Sequence, residues 1–81
     1  MGVNVRVLYF AALREERGLA EEELSTSAGS PGELYEELRA RHGFRLPPEA
    51  VRAAIDAEFR PMSHALSEGD TVAFLPPVAG G

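Results

Sequence analysis

The sequence predicts a small α+β domain, with one main helix packed on one face of a mixed sheet and an extended tail at its end. Three stretches carry that prediction. Val3 to Phe10 reads as a strand, Ser30-Pro31-Gly32-Glu33 opens a helix, and Thr71 to Leu75 reads as a final strand. That last strand runs into Pro76-Pro77, and the chain closes on Gly80-Gly81.

Eighty-one residues suit one domain with a modest core. Apolar content of 44% and charged content of 26% match an ordinary globule rather than a disordered or membrane-embedded chain. No apolar run approaches a membrane span, and no basic start precedes an apolar export segment, so a cytoplasmic location is expected. A formal charge of −5 argues against general nucleic-acid binding. The absence of cysteine excludes disulfides, thiolate metal sites and a side-chain sulfur nucleophile. All eight cations are arginine, so no lysine amine is available for Schiff-base chemistry or for conjugation to another copy.

The elements follow in order. In Val3 to Phe10, Val3, Val5, Val7 and Tyr9 share one face, which reads as core. The other face starts polar (Asn4, Arg6) and ends apolar (Leu8, Phe10), which leaves the last two exposed. Ala11 to Arg17 is a short helical piece stopped by Gly18. Leu19 to Thr26 is expected as an exposed edge strand, where Glu21, Glu22 and Glu23 discourage self-pairing. Ser30 is the N-cap of the main helix, Pro31 takes its first position, and Glu33 completes a capping box. The helix runs to about His42, with Leu34, Tyr35 and Leu38 inward and Glu36, Glu37, Arg39 and Arg41 toward water. Gly43 stops it. Phe44 to Glu49 is a connection. Val51 to Ile55 and Glu58 to Arg60 are short strands around Asp56-Ala57. Leu66-Ser67-Glu68-Gly69-Asp70 turns the chain into Thr71 to Leu75, where Val72 and Phe74 share one face and Ala73 and Leu75 the other.

The element order is that of the ubiquitin-like β-grasp, giving a domain over residues 1–75 and an extended tail over 76–81. If the first and last strands are neighbours, Phe10 and Leu75 meet on the face away from the helix and form an apolar docking patch at the root of the tail. Pro76 and Pro77 end the strand and favour an extended arm. Six residues reach at most about 20 Å. Pro76, Pro77, Val78, Ala79 and Gly80 would make a thin arm that inserts into a partner and presents the carboxylate of Gly81. A frayed end is the alternative reading of such a terminus.

Two stretches resemble a known family. They are Val7-Leu8-Tyr9-Phe10-Ala11-Ala12-Leu13-Arg14-Glu15 and the run from Leu66-Ser67-Glu68-Gly69-Asp70 through Phe74-Leu75-Pro76-Pro77-Val78-Ala79-Gly80-Gly81. Together they are similar to the small, sulfur-carrying subunit of molybdopterin synthase (the MoaD type), a ubiquitin-like β-grasp family. Where that family often has Val-Asn before the hairpin, this chain has Ile55-Asp56; both second residues suit a turn. The resemblance implies that an adenylating, E1-like activating enzyme uses ATP and magnesium to adenylate Gly81. A sulfur donor protein then replaces AMP and leaves a thiocarboxylate, a sulfur nucleophile. It implies a large synthase subunit as partner, in a heterotetramer, with the catalytic side chains on that subunit. The substrate would be precursor Z (cyclic pyranopterin monophosphate) and the product the molybdopterin dithiolene of the molybdenum cofactor. No cofactor or metal is expected on the chain itself. The alternatives are a related sulfur carrier for thiamine thiazole, cysteine or tRNA thiolation, a ubiquitin-like protein modifier, or a plain interaction module.

Other candidates read as structural. His42 suits the negative end of a helix dipole. His64 has no second His nearby in sequence for a metal site. Gly29-Ser30-Pro31-Gly32 lacks the lysine and spacing of a phosphate loop and reads as a cap. Glu15, Glu16 and Glu21 to Glu23 read as a solvated face rather than an acidic docking surface.

Overall fold

The computed structural model describes residues 2–77. The expectations for Val78, Ala79, Gly80 and Gly81 lie outside the described residues. The elements are β1 (Val3–Tyr9), α1 (Ala11–Arg17), β2 (Glu21–Thr26), α2 (Pro31–His42), β3 (Arg52–Ile55), β4 (Glu58–Arg60) and β5 (Thr71–Leu75). They build one sheet in the order β2-β1-β5-β3-β4, with β1 and β5 parallel at its centre and the other pairs antiparallel. This is the ubiquitin-like β-grasp that the sequence predicts.

The sheet is mixed because β1 and β5 lie far apart in sequence, and α2 lies in the long connection between them. One face of the sheet carries Val5, Val7 and Tyr9 from β1 and Val72 and Phe74 from β5, all buried. Leu34, Tyr35 and Leu38 of α2 fill the layer above, and none of them is exposed. An aromatic group ties the layers together. Tyr35 stacks on Phe44 at a centroid distance of 5.9 Å and tilts against Phe74 at 5.3 Å.

The Ser30 hydroxyl accepts from the Glu33 N–H at 3.2 Å, as a cap should. The return arm of the capping box differs from the expectation. The Glu33 carboxylate accepts from the Gly29 N–H at 2.8 Å, one residue before the cap. The edge positions shift slightly too. Phe10 is the extended residue before α1 rather than the last residue of β1, because Ala11 turns the chain at a φ of +52°. Val51 lies outside β3, after a single 3-10 turn at Pro48–Ala50 within the expected connection. Glu37 and Arg39 are half-buried rather than free in water. Glu37 accepts from the Thr26 hydroxyl at 2.7 Å, and the Arg39 Nε donates to the Phe44 carbonyl at 3.1 Å. No helix among the described residues is long and apolar enough to cross a membrane.

Candidate functional site

The outer face of the sheet, away from α2, carries the candidate site. β5 delivers its last residue, Leu75, to one end of this face, and Pro76 follows, both half-buried. The parallel register sets Leu8 beside Ala73 and Tyr9 beside Phe74, so β1 and β5 end together. Phe10 therefore arrives at the same end as Leu75. Both line a shallow groove of about 480 Å³ over the sheet, with Leu8, Ala54, Phe59 and Ala73 on its floor and walls. Phe10 is 43% exposed and Phe59 is 63% exposed, unusual for aromatic side chains without a partner.

Phe10 and Leu75 also line a second groove, of about 660 Å³, on the side of α1. Its other walls include Ala11, Ala12, Leu46, Pro76 and Pro77, with Glu16 and Arg45 at the rim. The backbone of this groove is held from below. The Tyr35 hydroxyl donates to the Leu46 carbonyl at 2.7 Å, and the Arg45 N–H donates to Glu16 at 3.2 Å. The core helix thereby fixes the loop against which Pro76 and Pro77 lie. Phe10 and Leu75 form a ridge between two apolar grooves at the point where the tail leaves.

A polar cluster anchors the far end of α1. The Arg17 guanidinium makes two bonds to the Glu22 carboxylate, at 2.9 and 2.8 Å, and the Tyr9 hydroxyl donates to the same carboxylate at 2.6 Å. The guanidinium holds the Glu22 carboxyl below its ordinary range, with the Tyr9 bond adding to the effect against the cost of burial. Burial and the carboxylate push the Tyr9 phenol well above its ordinary value. Glu22 is thus turned inward, while Glu21 and Glu23 face outward to Arg6. The acidic run is divided between two faces rather than presented as one surface. Leu13, fully buried, and Gly18, in the left-handed conformation with its N–H on the Arg14 carbonyl at 2.8 Å, complete the seat of α1.

The remaining candidates resolve plainly. His42 lies in the last turn of α2, half-buried with its ring 5.8 Å from Phe44, and burial lowers its pKa from the ordinary value. The Gly29 N–H is taken by Glu33 and the Gly32 N–H by the Met62 carbonyl at 2.9 Å, so these amides are not free to cradle a phosphate. His64 sits exposed in a turn, and among the described residues no group of His, Cys, Asp and Glu is placed to hold a metal ion. Sequence reasoning missed Phe59. Its signal was present: a lone aromatic between Glu58 and Arg60, on a strand too short to bury it.

Known proteins are similar to this chain over nearly its whole length. The model of the ThiS family matches residues 7–81. A protein named molybdopterin synthase sulfur carrier subunit from Mycobacterium tuberculosis is 37% identical, covering 98% of this chain and 99% of that protein. One of the same name from Escherichia coli is 32% identical, covering 95% and 99%. Among solved structures, a putative molybdopterin converting factor subunit 1 from Pyrococcus furiosus superposes with a TM-score of 0.78 at 31% identity, covering 94% of this chain and 99% of that one. A complex of subunits 1 and 2 of the molybdopterin-converting factor from Helicobacter pylori contains a chain with a TM-score of 0.64 at 25% identity, covering 98% and 100%.

Proposed function

The chain belongs to the ThiS family, and on that premise we propose that it is the sulfur-carrier subunit of molybdopterin synthase, acting in the cytoplasm. The observation that carries the proposal is near-full-length similarity to two proteins named for that role. The apolar ridge of Phe10 and Leu75 at the tail root supports it, since a carrier must be gripped where its tail enters a partner. The complex of the two Helicobacter pylori subunits supports a large subunit as that partner; that the two assemble as a heterotetramer is part of the same proposal.

In this reading the Gly81 carboxylate attacks the α-phosphorus of ATP, held with magnesium on the activating enzyme, and pyrophosphate leaves. The mixed anhydride is the electrophile that a free carboxylate is not. The terminal sulfur of a donor-protein persulfide adds to the acyl carbon and AMP leaves with the bonding pair, giving an acyl disulfide; an external thiol then reduces its S–S bond, the donor leaves as part of a disulfide, and a thiocarboxylate remains. Its sulfur is the nucleophile presented to precursor Z on the large subunit. Pro76 through Gly80 form the arm, and Gly80 and Gly81 carry no Cβ to obstruct a narrow channel. The body contributes docking, and the reacting side chains belong to the partners.

The test is intact mass spectrometry after incubation with the activating enzyme, MgATP and a sulfur source. The expected product is heavier by the replacement of one oxygen by sulfur, located at Gly81. A chain lacking Gly81 should stay unchanged in mass while remaining folded. Conjugates of the chain on lysines of other proteins would instead favour a protein modifier.

A further inference from the structure

Resting on that docking surface, we propose that Arg52 is its charge-reading contact, which seats a protein partner by engaging a carboxylate beside the channel that receives the tail. Arg52 pairs with Leu75 across β3 and β5, so it stands next to the tail root on the outer face. Its guanidinium carbon lies 5.5 Å from the centre of the Phe59 ring. Among the described residues Arg52 makes no ion pair, whereas Arg6 and Arg60, the other arginines of the sheet, pair with Glu21, Glu23 and Glu58.

Stacking on Phe59 holds the guanidinium in place while its edge keeps N–H donors for a carboxylate. A guanidinium is weakly hydrated, so covering it costs less than covering an ammonium. Apolar residues at the centre with an arginine beside them are the make-up of a binding surface. Arg45, at the other groove, is a natural comparison. Glu16 shares that rim, so the local charge there is balanced. Arg52 is the cation of the outer face left for a partner. The body as a whole carries −5, which repels an acidic partner at long range. Arg52 therefore acts after encounter, on register and dissociation rather than on association.

The test is surface plasmon resonance of this chain on the large synthase subunit of the same organism. Arg52→Glu should weaken binding about tenfold or more, mostly through faster dissociation, while Arg41→Glu, on α2 and outside both grooves, should change it by less than about threefold. Reversing the facing carboxylate of the partner to arginine should restore Arg52→Glu. If the wild type and Arg52→Glu bind alike while Phe10→Asp binds poorly, the role of Arg52 falls and the docking surface stands. If no charge reversal on the partner restores Arg52→Glu, its carboxylate is not the ligand and the inference falls. If the wild type does not bind, the docking reading fails and this inference with it.

Discussion

The outer face of the sheet has two halves, and the same strand crosses both. At its start β1 presents Asn4 and Arg6; at its end the chain presents Leu8 and then Phe10. The polar half is satisfied from within the molecule. The Asn4 N–H and side-chain amide donate to the Glu68 carboxylate at 2.9 and 3.1 Å, and Arg6 meets Glu23 at 2.9 Å. Gly69, at a φ of +85°, lets the turn fold back so that its N–H donates to the Asn4 carbonyl at 2.8 Å. Among the described residues the apolar half has no such closure. Phe10 and Phe59 stand exposed around small residues, Ala54 and Ala73. What differs between the halves is whether the side chains are already partnered. The half left open is the one at which β5 ends and Pro76 follows, and it is where the proposed docking surface lies.

The comparison is broken most directly in the open half. Phe10→Asp or Leu75→Asp should lower affinity for the large subunit by about 3 kcal/mol, more than a hundredfold, as removal of a central apolar anchor does. The thermal midpoint should move little, because neither residue lies in the buried core. A midpoint falling with affinity would place these residues in the fold rather than the interface. A core control behaves in the opposite way: Leu38→Ala, at a site with no exposure, should cost about 2–5 kcal/mol of stability, read by urea unfolding.

Acid separates the regions next. The backbone and side chain of Asn4 hold the Glu68 carboxyl below its ordinary range, and Arg17 does the same for Glu22. Both groups bind fewer protons when folded, so their contribution is full above the ordinary carboxylate pKa. It is lost as pH falls through the depressed values. The urea midpoint should therefore fall on acidification below about pH 4, and fall less steeply in Glu22→Gln. An identical slope in that variant would remove Glu22 as a source. The smallest effect belongs to the closed half. Arg6→Ala breaks two exposed ion pairs and should leave the urea midpoint nearly unmoved, with binding unchanged.

Strand and helix identities were legible because period-2 and helical patterns, the Ser30 cap and the glycine stops all pointed the same way. The meeting of Phe10 and Leu75 was legible once β1 and β5 were taken as neighbours. Phe59 left only a faint signal, a lone aromatic in a three-residue strand, because its exposure depends on β4 lying at the sheet edge. The inward turn of Glu22 was equally hidden: three consecutive glutamates carry no sign of which one meets Arg17 and Tyr9. The neighbour of His42 was also hidden: Phe44, placed by the loop after α2, lies 5.8 Å from its ring. The stacking of Arg52 on Phe59 belongs to the same class, a side-chain meeting across strands that only the register decides.

The central claim is that the chain carries sulfur on Gly81 to molybdopterin synthesis. The direct measurement is a reconstituted reaction with thiocarboxylated chain, large subunit and precursor Z, followed by mass spectrometry of both chain and pterin. The account predicts that the chain returns to the mass of its carboxylate as the dithiolene appears. A chain that retains its sulfur in the presence of the large subunit and precursor Z would contradict it.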